Sequence, residues 1–322
     1  MRFQPRQFKK SQLFILAFVI FSLGSLALIK GNESVSATYG KASRKLNKLI
    51  NDVTGRSYPD PLPLSENWFK RDYSNQNLSN QALVADIYRC QKSDQPSILL
   101  IGGSVAYGVG TKNESEGFYH KLKDKISHTY CLARLSKPAV GLSWQEDIFK
   151  RTKDIPTFRQ IIITTGSSNA YHTLAANDIT ISEPYSEDSE KELRIAHFSR
   201  SANYLIQQVC KQEPKPSIHF YFEPMVSLKQ TPSFREKRFQ NWWHHADNIL
   251  PINYYDEFIA KSSESVSKTA ASLDCNISIH KPDHFSELLN ADSEVFSSLT
   301  HLNGKGTSLL SSRIARDLER KK

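Results

Sequence analysis

Ser97-Ile-Leu-Leu-Ile-Gly-Gly-Ser-Val-Ala-Tyr-Gly-Val-Gly110 is the stretch on which the fold turns. Its first five residues form a short apolar run that ends abruptly at Gly102-Gly103, the profile of a buried parallel strand. Two glycines let the backbone turn sharply, and the next residue, Ser104, then presents its hydroxyl at the strand's exit. The N–H groups of the loop or helix that follows are placed to face a developing oxyanion. A phosphate-binding glycine loop is the competing reading, but the spacing matches neither G-x-x-x-x-G-K-[ST] nor G-x-G-x-x-G. A plain turn is the other alternative.

Downstream the pattern repeats. Helical character at 116–128 leads to a second strand at 130–135, and a helix at 144–155 leads to Gln160-Ile-Ile-Ile-Thr-Thr165, stopped by Gly166. A long helix over 190–210 precedes Ser217-Ile-His-Phe-Tyr-Phe222, stopped at Pro224. Helices near 233–247 and 252–272, a weaker fifth strand at 276–280 and a last helix over 303–320 complete the series. Strands alternating with helices predict an α/β fold with an open parallel sheet covered on both faces. Ligands bind such sheets at the carboxyl ends of the strands. The polar, acidic segment 172–192 reads as an insertion near the third strand's exit, a candidate lid.

His301 lies just before the last helix, in Phe296-Ser-Ser-Leu-Thr-His-Leu-Asn-Gly-Lys-Gly306. That topological position suits it to serve Ser104 as general base. Gly102-Gly103-Ser104-x-x-x-Gly108 together with His301-Leu302-Asn303-x-x-Gly306 resembles the SGNH (GDSL-type) hydrolase superfamily, over roughly residues 96–320. The resemblance implies a three-layer α/β/α flavodoxin-like fold with strand order 2-1-3-4-5, and chemistry on esters. It implies Ser104 as nucleophile, with Gly103 where the family's name motif has Asp. It places oxyanion donors at the Ser104 N–H, at Gly141 and at Asn169. In Gly166-Ser-Ser-Asn169 the asparagine comes one residue later than in the family pattern, so Ser168 is the alternative donor.

The largest departure is Ser298, where the family has Asp three residues before its histidine. That acid holds the imidazole's tautomer, and its loss in another triad enzyme costs on the order of 10⁴ in rate. Three explanations stay open. Ser298 or a backbone carbonyl orients His301, a carboxylate such as Asp292 or Glu294 substitutes, or the site is degenerate and only binds. The implied strand order also gives the four cysteines partners. Strands one and two are neighbours, as are four and five, so Cys90–Cys131 and Cys210–Cys275 are the expected disulfides.

Charge distribution narrows the partners. Residues 1–50 hold nine Lys or Arg against Glu33, so of the net +9 only +1 belongs to the rest of the chain. A near-neutral body has no electrostatic footprint for nucleic acid. The basic excess flanks an uncharged run at 11–29, nearly all apolar from 13 onward, and about 17–19 helical residues just cross a hydrocarbon core. The expectation is residues 1–30 as cytoplasmic tail and transmembrane anchor, or signal peptide if cleaved near Val35-Ser36-Ala37. Residues 31–95, with prolines at 59, 61 and 63, form a stem and linker that carries a helix packed on the domain. Residues 96–322 form the hydrolase-like domain, outside the cytoplasm. With that tether, the expected substrate is an acyl ester, small or borne as O-acetyl on envelope or exported polysaccharide. The rivals are a lipase or thioesterase and a degenerate glycan-binding or scaffolding domain.

No Cys/His set has zinc-ligand spacing, so neither metal nor cofactor is expected. His244-His245 beside Trp242-Trp243 reads as an exposed helix end, because adjacent histidines face different ways. Glu223, at the fourth strand's exit, either caps the strand or shapes the cleft.

Overall fold

The structure, a computed structural model, describes residues 86–90, 92–136, 142, 157–171, 187–245 and 254–320. The expected helix at 144–155, most of the 172–192 insertion and the apolar run at 11–29 lie outside them, as do Gly141 and the side chains of Ser168 and of residues 242–245. Among the described residues, no helix is long and apolar enough to cross a membrane.

Five apolar runs pair as one parallel sheet: β1 Ser97–Gly102, β2 Cys131–Ser136, β3 Gln160–Thr165, β4 Ser217–Phe222 and β5 Ile277–His280, in the order β2-β1-β3-β4-β5. β1 and β3 are buried at almost every residue, although successive side chains point to opposite faces. Both faces of the sheet are therefore covered.

Helical segments connect the strands: α1 Ser104–Tyr107, α2 Phe118–Ile126, α3 Ser167–Tyr171, α4 Glu187–Cys210, α5 Phe234–His245, α6 Tyr254–Ser272, α7 Ser286–Leu289 and α8 Gly304–Glu319. They pack in two main pairs, α4 with α6 and α2 with α8. The second pair shows why these sequences are helical. Phe118, Leu122 and Ile126 recur at four-residue intervals and are buried, as do Leu310, Ile314 and Leu318. Burying each such side chain contributes about 1.5–3 kcal/mol. Asn303 starts α8, because its Oδ1 accepts from the N–H groups of Lys305 and Gly306, both at 3.0 Å.

The disulfides join Cys90 to Cys131 and Cys210 to Cys275. The first ties residues 86–90 to the outer edge strand β2. Ile87 is buried beside it, Arg89 donates to the Leu132 carbonyl, and the Tyr119 hydroxyl donates to Asp86. The second sits below the amino ends of β4 and β5.

Candidate active site

Ser104 begins α1 directly after β1, and the turn that carries it has no room for side chains. A Cβ on Gly102 would lie 2.5 Å from Ala106 Cβ and 2.6 Å from Thr164 Oγ1, so glycine is what lets α1 fold back over β1 and β3. Gly108 ends α1 at φ 102° and its N–H donates to the Ser104 carbonyl. The loop then reaches Gly110 at φ 104°, where a Cβ would lie 2.3 Å from Ser297 Oγ, 2.6 Å from the Leu302 carbonyl oxygen and 2.9 Å from His301 Cβ. Backbone from the loop that follows Ser104 thus abuts the loop that carries His301.

That second loop is closed on itself. Phe296 and Leu302 form an antiparallel bridge, and the Ser297 N–H donates to the His301 carbonyl at 2.9 Å. The Asn303 N–H donates to the Val295 carbonyl at 2.9 Å, and the Val226 N–H, from beyond β4, donates to the Leu299 carbonyl at 3.1 Å. His301 is thereby set on a short, pinned excursion just before α8.

The two loops bring His301 Nε2 to 2.9 Å from Ser104 Oγ, across 197 residues of chain. Both residues are half-buried. The imidazole's other nitrogen, Nδ1, lies 2.9 Å from Ser298 Oγ, which also accepts from the His301 N–H at 3.2 Å. With Nε2 accepting the Ser104 hydroxyl proton, Nδ1–H donates to Ser298. Of the three sequence candidates for orienting the ring, Ser298 occupies the place. Glu294 instead accepts from the Ser233 hydroxyl and from Arg235, both at 3.2 Å, and Asp292 is exposed.

Asn169 lies on α3, just past the β3 exit. The Thr165 hydroxyl donates to its Oδ1 at 3.1 Å, which leaves the Nδ2 hydrogens as the end able to donate elsewhere. Below it the Ser167 hydroxyl donates to Glu223 Oε2 at 2.5 Å, and both side chains are buried. Burial pushes the Glu223 carboxyl up to about 7, against the opposing pull of the Ser167 hydroxyl and N–H. Glu223 therefore ties the β4 exit to the turn bearing Asn169. At the other end of α3, Arg194 donates to the Ala170 carbonyl and pairs with Glu190.

A third group was not legible in the sequence. Glu236 is buried at the start of α5 and accepts from the N–H groups of Val295 (2.9 Å) and Phe296 (3.0 Å). The sequence carries one signal for it: Ser233-x-x-Glu236 is a capping box, and the structure shows both of its reciprocal bonds. Nothing local announces that the same carboxylate also reaches the histidine loop.

His280, His284 and Asp317 bring ligand-type atoms within 4.8 Å of one another, a grouping that the sequence reading did not pick out. Arg313 Nε stands 3.0 Å from His284 Nε2, which itself lies 2.7 Å from Asp317 Oδ2. A guanidinium in that position repels a cation. The Tyr221 hydroxyl also donates to Asp317 Oδ2, and the Tyr221 and His280 rings stack. The cluster is a hydrogen-bonded network that joins β4 and the β5 exit to α8.

No family model matches the sequence, and no curated protein matches it. Solved structures do align with the fold. A lipase/acylhydrolase from Enterococcus faecalis is 14% identical, with 70% of this chain and 97% of that one covered and a TM-score of 0.44. An acetyl xylan esterase, AlAXEase, is 13% identical over 69% and 99% of the two chains, with a TM-score of 0.45. A lipolytic protein of the G-D-S-L family from Desulfitobacterium hafniense DCB-2 is 13% identical over 69% and 99%, with a TM-score of 0.41.

Proposed function

We propose that this chain is a serine-dependent ester hydrolase or acyltransferase of the SGNH type. The observation that carries the reading is the 2.9 Å approach of Ser104 Oγ to His301 Nε2 at the carboxyl edge of a parallel 2-1-3-4-5 sheet. A nucleophile within hydrogen-bond reach of a base, with the base held by a third group, is the arrangement that acyl transfer requires.

Ser104 Oγ attacks the ester carbonyl carbon as its proton passes to His301 Nε2. The carbonyl π electrons move to oxygen, and the oxyanion is met by the Ser104 N–H, the Gly141 N–H and Asn169 Nδ2. Collapse breaks the bond to the alcohol, which leaves with the proton from His301. Water or an acceptor hydroxyl then gives its proton to His301 and attacks the acyl-serine. Collapse expels Ser104 Oγ, which takes the proton back from His301, and the acid or new ester leaves. Ser298 keeps the imidazole in the tautomer this cycle needs. No step calls for a cofactor.

The same reading assigns residues 1–30 to a tail and membrane anchor, 31–95 to a stem and 96–322 to the hydrolase domain, held outside the cytoplasm. A tethered domain there meets envelope or exported polysaccharide, and the proposed substrate is an O-acetyl ester on it. The support is the basic segment flanking the apolar run at 11–29 and the two disulfides, which suit an oxidising compartment.

The test uses the full-length protein and its Ser104→Ala variant, with p-nitrophenyl acetate and a fluorophosphonate probe. The expected result is hydrolysis and covalent labelling of the wild type alone. Equal labelling of both, or of neither, would overturn the reading and leave a glycan-binding or scaffolding domain.

A further inference from the structure

We propose that Glu236, paired with Lys229, is a positioning residue for His301, a role that rests on the hydrolase reading. Both side chains are fully buried, and Lys229 Nζ lies 2.5 Å from Glu236 Oε2. Burying two charges is costly, and apolar residues of similar volume often replace such a pair without loss of stability. Stability alone is therefore a poor account of why a pair sits here. Its hydrogen bonds supply a better one.

The two carboxylate oxygens divide their work. Oε2 accepts from Lys229 and from the Ser233 N–H at 2.8 Å, which fixes the carboxylate to the start of α5. Oε1 faces the other way and accepts from both Val295 and Phe296. Those two residues lead into the histidine loop. The next N–H, of Ser297, holds the His301 carbonyl, and Phe296 itself bridges to Leu302 on the far side of the histidine. Lys229 adds a donor to the Ser293 carbonyl at 2.7 Å, on the approach to the same loop. One carboxylate thus grips the loop two bonds away from the base. Burial raises the Glu236 carboxyl, but the Lys229 ammonium and the three backbone N–H donors outweigh it and hold the group below the usual carboxylate range.

Two double variants separate the acceptor from the charges. Lys229→Met with Glu236→Gln keeps a carbonyl oxygen for the two N–H groups and removes both charges. Lys229→Met with Glu236→Leu removes the acceptor as well. The expected result is that the Gln form stays within about threefold of wild-type kcat, while the Leu form loses about 10- to 100-fold in kcat at unchanged KM, as a displaced base would. Equal kcat in the two double variants would overturn the proposal, whether both match the wild type or both fall. Hydrogen exchange on the wild type gives an answer that needs no variant. The amides of Val295 and Phe296 should exchange only on opening of the fold, and exchange within seconds would also overturn it. The parent reading is scored separately by fluorophosphonate labelling of wild-type Ser104. Without labelling, both readings fall. With labelling and equal variants, only the brace does.

Discussion

Ser298 Oγ sits 2.9 Å from His301 Nδ1, in the position where a carboxylate would orient a catalytic imidazole. A hydroxyl can accept the Nδ1 proton and so select the tautomer, but it brings no charge to stabilise an imidazolium. Under the proposed function, the geometry of a triad is kept and its electrostatics are reduced.

Ser298→Ala removes the acceptor of both the Nδ1 proton and the His301 N–H, while the loop's backbone–backbone bonds stay in place. The expected effect is a drop in kcat of about 10- to 100-fold with KM little changed, by analogy with the loss of the hydrogen-bond partner that orients a metal-ligating histidine. Steady-state kinetics on a chromogenic acetate ester check it, and an unchanged kcat would mean that the backbone alone holds the ring.

Gly110→Ala tests the contact between the two loops. An alanine Cβ would need a left-handed φ and would collide with the Leu302 carbonyl and His301 Cβ. Stability should fall by about 1–3 kcal/mol, because strain and overpacking combine. Activity should fall further than stability explains, since the collision pushes on His301 itself. Paired denaturant melts and rate measurements report the two effects.

Glu223 makes stability depend on pH in a stated direction. Its carboxyl is raised from 4.5 to about 7 by burial. Between those values the native state therefore holds a proton that the unfolded chain has released. Stability contributed by this group is then present below the unfolded value and is lost as pH rises towards 7, by about 3 kcal/mol in all. Glu223→Gln keeps an acceptor for Ser167 and has no proton to lose. Unfolding free energies should match the wild type near pH 4 and exceed it at pH 8. A variant less stable than the wild type at pH 8 would contradict this account.

Cys210→Ser with Cys275→Ser opens a covalent loop of 65 residues that joins the end of α4 to the start of β5. The expected cost is about 2–4 kcal/mol, read from the urea midpoint, with little effect on kcat. The disulfide lies at the amino edge of the sheet and the proposed chemistry at the carboxyl edge, so stability and rate should separate.

Sequence alone was enough for the strands of the sheet. β3 and β4 fall on the bounds expected from their apolar runs, because a strand buried on both faces must be continuously hydrophobic and stops where Gly or Pro breaks the ladder. β5 was weaker because it is an edge strand, half-buried throughout, and its alternation is diluted. The Ser104 turn was legible from the two glycines that end β1, and His301 from its place just before the last helix. The two were joined by the resemblance of their motifs to one family. The disulfide pairs followed only once a strand order was assumed.

What tertiary structure decided is everything that depends on distance across the chain. Which of Ser298, Asp292 and Glu294 meets the imidazole could not be read from spacing, because all three are close in sequence and differ only in the direction they face. Glu236 carries only a capping-box signal in the sequence, and its second pair of hydrogen bonds exists because folding brings α5 against residues 295 and 296, about 60 positions away. Local sequence sets φ, ψ and the apolar stripe. A buried carboxylate's partners are set by whichever N–H groups the packed fold leaves unsatisfied beside it.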